Sequence, residues 1–595
     1  MSSNADHPDR PDLPYQDATL PIDARVEDLL GRLDPADRAG LLFHPHGALS
    51  DPEQPDVWGQ TPVAHHIRQG RVNHFAVMGS AGTARELAEF HNHLQRIALE
   101  HPLGIPVTLS SDPRHSAEDN VLTANEAGAF SRWPEHLGFA SIGDDEVMRE
   151  YGDIVRREYL ATGLRVGLHP QIDLSTEPRW ARIVGTLGED ADLTSRLVVA
   201  YIRGLQGEQL GPDSVAAMTK HFPGGGPQKD GTDPHFGDGR EQVYPGGMFE
   251  YHLKPFIAAI EAGTSQMMPY YGMPVETEWE EVGFAYNKGI ITDLLRTRLG
   301  FDGLVCTDWT VITGIEDVFP AKAWGVEHLD QTERTLKLLR AGIDQFGGEH
   351  AVHLVLDLFS AGRLAPGDLD ASLRRILREK FRLGLFDDRR FVDADAAQAL
   401  VGTREHIEAG VRAQQRSLVL LRNEPAAAGG SPLLPLATGI TVYAEGVDPS
   451  AFDGLAQVTD DPAAADVAVV RIKSPDTSDN SVHFLGSMHK GSLEYPDDQR
   501  EHIATLAGTV PTVLDIYLER PAVLTGMLDP QAILGSFATA DRPFVEVLFG
   551  LAQPQGALPF DLPRSMDAVV ASRSDVPFDT EDPVFRFGFG LRYPA

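Results

Sequence analysis

Two strand-end motifs carry the chemistry that this sequence offers, one ending on a carboxylate and one on a lysine–histidine pair. Segment 300–310, GFDGLVCTDWT, is a short apolar run that ends on Thr307, Asp308 and Trp309. An acid at the C-terminal tip of a buried strand sits where barrel and doubly wound enzymes place their reactive groups. The plainer use of the same residue is to cap a following helix. Segment 220–226, KHFPGGG, sets Lys220 and His221 at another strand tip, followed by a proline and three glycines. The glycines match neither G-x-x-x-x-G-K-[ST] nor G-x-G-x-x-G after a strand, so phosphate binding gains little support. Lys220 can form a Schiff base with a carbonyl substrate, donate to a polyhydroxylated ligand, or rest paired with a neighbouring carboxylate.

Apolar runs alternating with amphipathic stretches must position these groups. Strands are expected at 75–78, 105–109, 164–174, 215–222, 265–270, 303–306 and 342–346, with helical spacing at 26–42, 84–99, 249–262, 287–299 and 370–383. Such alternation predicts parallel α/β architecture. Polar residues at the strand tips, Asp112, Asp173, Lys220, Tyr270 and Asp308, point to a (β/α)8-type TIM barrel with a site on its C-terminal face. A doubly wound sheet ranks second, since it would gather its site at one switch point. Residues 1–20 read as an extended arm and 386–410 as a charged, Asp-rich linker. A smaller α/β unit at 411–595 has β-like runs at 417–421, 440–443, 467–472, 513–516 and 532–535.

Composition narrows the function classes. The chain has 595 residues and 42% apolar content, enough for sizeable cores. Its net charge of −36 argues against nucleic acid and against an anionic membrane surface. The single cysteine, Cys306, lies inside the strand before Asp308 and reads as a buried, inert thiol. His65 with His66, and His91 with His93, lack a third ligand at metal spacing, so no metal or cofactor is expected. No apolar leader and no membrane-length apolar run is present, which gives a cytoplasmic location as the expectation. The sequence leaves oligomeric state open, a homodimer included.

Taken together, KHFPGGG at 220–226 and TDW at 307–309 resemble glycoside hydrolase family 3. EPRWARIVGTLGED at 177–190 is similar to that family's D-P-R-W-G-R…F-G-E-D stretch, and GIPVTLSSD at 104–112 to its sugar-binding Asp segment. SLVLLRNE at 417–424 and PLLPL at 432–436 resemble the opening of the family's second domain, and GALPFDLP at 556–563 with FRFGFGLRY at 585–593 its end. The resemblance spans nearly the whole chain. It implies a barrel plus an α/β sandwich with the site between them, and an exo-acting, retaining hydrolysis of small glycosides or oligosaccharides. Asp308 matches the nucleophile that forms a glycosyl-enzyme. Asp112, Arg182, Lys220 and His221 match residues that hold the nonreducing sugar, with Tyr270 near the nucleophile and Trp309 offering an apolar face to a sugar ring.

The acid/base is not fixed by these motifs. In the family's β-glucosidase branch it is a Glu on a loop of the second domain. The corresponding stretch here, 473–495, holds Asp476, Asp479, His483, His489 and Glu494 but no early Glu. Asp233-Pro234-His235 resembles the Asp-x-His dyad of the β-N-acetylglucosaminidase branch, in which a His is the acid/base; its other use is to bind hydroxyls or structure the turn. His235 and Asp476 are therefore the two candidates. β-Glucosidase is the leading expectation, with β-xylosidase and β-N-acetylglucosaminidase as neighbours. A sugar-binding protein with a decayed site and a Schiff-base lyase using Lys220 are the readings from other classes.

Overall fold

A computed structural model describes residues 13–593 apart from 56–60, 81, 119–123, 315–319, 428, 477–487 and 489. Seven parallel strands form one sheet in the spatial order Leu304–Val305, Gln266–Pro269, Ala216–Phe222, Leu164–Gly167, Thr108–Ser111, His74–Met78 and His46–Ala48. This sheet closes on itself. Phe43–His44 pairs in parallel with Phe346–Gly347, and Gln345 bridges to Cys306 on the other side. Pro45 interrupts the first stave because it has no N–H to give, yet its carbonyl still accepts from Ala76 N at 2.9 Å. Counting 43–48 as one stave, the ring is an eight-stranded parallel barrel. Closure rules out the doubly wound alternative, whose open sheet would have two edges.

The barrel strands are covered on both faces, as parallel strands require; Ala216–Phe222 is buried at all seven positions. The helix Ala84–Ala98 starts where Thr83 and Glu86 form a capping box, and Leu87, Phe90, Leu94 and Ile97 turn inward. The stretch 26–42, expected as one helix, is two, Ile22–Leu30 and Pro35–Gly40; Asp34 caps the second and Pro35 begins it. From residue 13 the expected arm is docked. Tyr15 is fully buried and its hydroxyl donates to the Leu103 carbonyl at 2.7 Å; residues 1–12 lie outside the described residues.

The span expected as a linker holds Ala394–Leu400 and the start of Arg404–Ser417. The first of these helices is short and buries only Ala397, so it has little periodicity to read. This span is tied to the barrel by Glu158, whose carboxylate is wholly buried. Its Oε1 accepts from His406 Nδ1 at 2.7 Å and Gly402 N at 2.9 Å; its Oε2 accepts from His115 Nε2 at 2.9 Å and from both N and Oγ of Ser131 at 3.2 Å.

The second unit is a six-stranded sheet in the order Val419–Asn423, Ala532–Ser536, Thr512–Tyr517, Val467–Lys473, Thr441–Glu445, Gln457–Thr459. All neighbours are parallel except the first pair, which is antiparallel. Its strands alternate between two cores, as a period of two dictates. Val419, Leu421, Val470, Leu514, Ile516 and Ile533 join the barrel's core, while Leu418, Leu420, Val469, Val513 and Leu534 form a separate one. One face of the sandwich sheet is thus buried against the barrel.

Burial opposes charge on Glu158, but the hydrogen bonds from His115 and His406 outweigh it and hold the carboxyl well below its ordinary value of 4.5. A depressed carboxyl contributes stability above the unfolded value and loses it as the pH falls. Glu158→Gln should destabilise the chain to urea by about 3 kcal/mol at pH 7. The gap between variant and wild type should narrow as the pH is lowered below about 4.5.

Candidate active site

Asp308 follows the strand Leu304–Val305 at the barrel mouth, and the next helix among the described residues, Gln331–Ala341, is capped by Asp330, so Asp308 does not cap it. Its Oδ1 accepts from Trp309 N at 2.8 Å. Its Oδ2 is buried without a hydrogen-bond partner and lies 3.8 Å from His221 Nε2. One oxygen is pinned and the other keeps its lone pairs, which is the state a nucleophilic carboxylate needs. The turn that sets this direction is unusual for a β-branched residue. Thr310 has φ +61°, and it is held by Thr310 N to Gly347 O, Lys322 N to Thr310 O, and Lys322 Nζ to Thr310 Oγ1. Trp309 stands half-buried against Gly347 and Gly348, where a Cβ would lie 2.7 and 2.6 Å from its ring.

The second motif faces the first. His221 Nδ1 donates to Asp173 Oδ2 at 2.8 Å, and Gly225 N donates to Asp173 Oδ1 at 2.5 Å. The glycines are a packing requirement. A Cβ on Gly226 would sit 1.8 Å from Leu174 O, and one on Gly225 would sit 2.7 Å from the Tyr270 ring. Burial lowers the His221 pKa against the opposing pull of Asp173, so the imidazole is neutral at pH 7. With Nδ1–H given to Asp173, its Nε2 offers a lone pair beside Asp308 Oδ2. A hydroxyl placed between them would donate its one O–H to one of the two acceptors. Lys220 Nζ donates to Asp112 Oδ1 at 2.6 Å. That ion pair is the third of the uses open to this lysine, and it leaves a Schiff-base role without a free amine.

Arg182 is buried behind both motifs. Its Nη2 donates to Gln171 Oε1 at 3.3 Å, and its Nε has no partner. Burial works against its charge, but Tyr270, Asp233, Asp308 and Asp173 outweigh burial and raise its pKa. Asp233 is a hub. It accepts from Trp180 Nε1 at 2.8 Å, Tyr270 Oη at 2.7 Å, and His235 N and Nδ1 at 2.9 and 2.6 Å. The His235 ring meets Tyr271 edge-on at 4.7 Å, and Tyr271 Oη bonds both N and O of Trp309. Asp308, Arg182, His221, Tyr270 and His235 are therefore linked through direct contacts or one intervening residue, while Asp112 and Lys220 form an adjoining pair.

Asp476 is exposed on the second unit, next to Pro475, whose carbonyl accepts from Arg520 Nη2 at 2.5 Å. Arg520 Nη1 donates to the carbonyl of Arg179, one residue before Trp180. At the other end of this stretch, Lys490 Nζ lies 4.6 Å over the Phe236 ring. Both ends of the second-domain stretch thus rest on barrel residues flanking the Asp233 hub. Asp479, His483 and His489 lie outside the described residues, and Glu494 is exposed and bridges to Val523. Among the described residues, no group of three or more His, Cys, Asp or Glu is arranged to hold a metal, and no helix is long and apolar enough to cross a membrane.

Sequence reading missed Tyr271, Lys322 and Glu349. Tyr271 has only its position after Tyr270 to signal it. Lys322 is pushed down to about 8 by burial, against the raising effect of Asp308. Burial pushes Glu349 up to about 7 although it accepts from Thr313 and Ile312. No spacing rule connects either to Asp308, because chain reversal brings them there.

A closed barrel with an unpaired carboxylate at its mouth, and a sandwich docked on it, fit a two-domain glycoside hydrolase. The Glycosyl hydrolase family 3 N terminal domain matches residues 54–379 and the Glycosyl hydrolase family 3 C-terminal domain matches residues 310–593. The chain belongs to glycosyl hydrolase family 3. It is 46% identical to Beta-glucosidase C of Emericella nidulans, over 97% of this chain and 94% of that one. It is 38% identical to Periplasmic beta-glucosidase/beta-xylosidase of Dickeya chrysanthemi, over 97% and 91%. Among solved structures, a β-glucosidase of Erythrobacter marinus superposes with a TM-score of 0.79 at 22% identity, covering 97% of this chain and 84% of that one. An exo-1,3/1,4-beta-glucanase of a Pseudoalteromonas species gives 0.76 at 19%, covering 96% of each.

Among the described residues, the Asp173 carboxylate accepts hydrogen bonds from His221 and Gly225. Asp173→Ala should lower kcat/KM by roughly 10- to 100-fold, the usual cost of losing the partner that orients a site histidine. Steady-state kinetics with an aryl glycoside would check it; an unchanged value would mean that His221 needs no anchor.

Proposed function

We propose that this chain is an exo-acting, retaining β-glucosidase in which Asp308 attacks the anomeric carbon of a nonreducing-end glucoside. The carrying observation is the Asp308 carboxylate, with Oδ1 held by Trp309 N and Oδ2 buried and free. The naming of its 46%-identical fungal relative as a β-glucosidase supports glucose as the glycone. In the first step Oδ2 bonds to the anomeric carbon as the aglycone oxygen departs with a proton. In the second, water loses a proton to the same acid/base and displaces Asp308. Arg182, His221, Lys220 and Asp112 fix the ring by its hydroxyls, which lowers the entropic part of the barrier. The buried Arg182 charge opposes the carboxylates without neutralising Asp308 by a direct bond.

For the leaving-group proton, Asp476 and His235 are the two candidates, and the hydrogen bonding of His235 counts against it. Burial holds the His235 pKa below the ordinary imidazole value despite Asp233, so the ring is neutral at pH 7. Its Nδ1–H is committed to Asp233, leaving Nε2 able to accept a proton but with none to give. Asp476 stands on the stretch that Arg520 anchors beside the hub.

Asp308→Asn should reduce kcat on p-nitrophenyl β-glucoside by at least about 10³-fold. Binding without turnover in the wild type, even with such a good leaving group, would instead support a decayed site. Asp476→Ala should slow glucosides with poor leaving groups by more than about 100-fold while sparing activated ones, and added azide should restore turnover as the β-glucosyl azide. The same pattern in His235→Ala, and not in Asp476→Ala, would transfer the role to His235. Because the Dickeya relative is named for both activities, p-nitrophenyl β-xyloside is the comparison substrate.

A further inference from the structure

Segment 308–313 turns sharply at the barrel mouth, and side chains from elsewhere hold it. Tyr271 Oη accepts from Trp309 N at 3.0 Å and donates to Trp309 O at 2.9 Å. Thr310 Oγ1 donates to the same carbonyl at 2.6 Å. Tyr286 Oη donates to Val311 O at 2.6 Å, and Glu349 accepts from Ile312 N, Thr313 N and Thr313 Oγ1. Lys322 brings a cation to this group. It is only 7% exposed. Its Nζ donates to Thr310 Oγ1 at 2.9 Å and lies 5.2 Å from the centre of the Tyr271 ring. One ammonium therefore touches both side chains that grip the Trp309 carbonyl.

The backbone that carries Lys322 is fixed as well. Lys322 N donates to Thr310 O at 3.0 Å. Two residues on, Trp324 Nε1 donates to Pro234 O at 2.8 Å, and Gly283 N donates to Trp324 O at 3.0 Å. Lys322 is thus held between the Asp308 turn and the loop that carries Asp233 and His235. Burying an ammonium is costly, and an apolar side chain of similar length would fill the space without that cost. The position therefore uses the charge and the donor, not the bulk alone.

The turn so held is the one that aims Asp308. Thr310 keeps φ +61°, which a β-branched residue adopts only under constraint. Trp309 N, placed by Tyr271, is the donor that fixes Asp308 Oδ1. We propose that Lys322 is a positioning residue for the nucleophile: its ammonium, bonded to Thr310 Oγ1 and set over the Tyr271 ring, keeps Asp308 with Oδ1 on Trp309 N and Oδ2 unbonded. The inference rests on the β-glycosidase reading above and adds to it a residue that holds Asp308 through Thr310 and Tyr271.

Lys322→Met keeps the length and removes the charge and the donor. Its kcat on p-nitrophenyl β-glucoside should fall at least about tenfold with KM within about threefold, because a misaimed nucleophile slows the chemical step more than it weakens binding. Lys322→Arg, which keeps the charge and a donor, should recover most of the loss. Thr310→Val removes the acceptor of the same bond; added to Lys322→Met it should slow turnover by less than about twofold more, since both changes break one link. If Lys322→Met does not fold, Thr310→Val carries the test, with the same fall in kcat expected and a wild-type kcat overturning the proposal.

The pH profile separates positioning from packing. Burial lowers the Lys322 pKa to about 8 against the pull of Asp308, Glu349 and Asp233. The other titratable groups beside it are Tyr271, raised by burial, and His235, lowered by it. Lys322 is charged below about 8 and neutral above, so wild-type kcat should fall as the pH rises through about 8. That limb should be missing in Lys322→Met; the same limb in both proteins, or equal kcat in both, would overturn the proposal. A crystal structure of Lys322→Met reads the claim without turnover: Thr310 should leave its positive φ, or Asp308 Oδ1 its bond to Trp309 N. An unchanged turn would overturn the proposal whatever the activity. A wild type inactive on glycosides would remove the functional reading and leave the turn to decide this one.

Discussion

Four carboxylates, Asp112, Asp173, Asp233 and Asp308, share the mouth of one barrel, and the last three interact electrostatically with the buried guanidinium of Arg182. Burial opposes charge on Asp173 and Asp233, and the guanidinium is among the groups that hold both below the ordinary carboxylate range. The tyrosine and three of the acids around Arg182 raise its pKa against burial, so the dependence is mutual. Each remaining acid has its own donor: Lys220 for Asp112, His221 and Gly225 for Asp173, and four donors for Asp233. Asp308 alone among them keeps a buried oxygen with no hydrogen bond. Catalytic power of this kind comes from dipoles and charges fixed before the substrate arrives.

Keeping them fixed is the work of the fold around the mouth. The glycines at 225 and 226 let the turn press onto Leu174 and Tyr270, so that a backbone N–H reaches Asp173. The second domain adds a further layer. Its sheet shares a core with the barrel, Tyr517 reaches Glu135, and Arg520 ties its own stretch at Pro475 to Arg179. Glu189 of the barrel accepts from Asp561 N and Phe578 N, so the C-terminal segment is pinned as well. Loss of sandwich docking would therefore disturb the site even though Asp308, Arg182, Lys220 and His221 belong to the barrel.

Much of this frame is legible in the residues. Strands at 75–78, 215–222 and 265–270 stand out because they are apolar and end on polar residues, and the motif set in its order carries the family. The first stave, 43–48, escapes because FHPHGA contains a proline and two histidines and looks like a loop; in the barrel His44 is buried and bonds Ser110. The helices inside 386–410 escape because their inward faces are alanine, glycine and one histidine. At the site, Asp308, Lys220 and His221 are marked by position at strand tips. Tyr271, Lys322 and Glu349 are not, since nothing local distinguishes them from other buried or loop residues. What makes them matter is a neighbour far away in the chain, and the sequence alone does not show which.

The central claim is that Asp308 forms a covalent bond to the sugar. Incubation with an activated 2-deoxy-2-fluoroglucoside, whose fluorine slows the second step, followed by peptide mass spectrometry, tests it directly. The account predicts one fluoroglucosyl adduct per chain, on the peptide containing Asp308, that is released by a second sugar acceptor. An adduct on another residue, or steady turnover of the fluorosugar with inversion and no adduct, would contradict it.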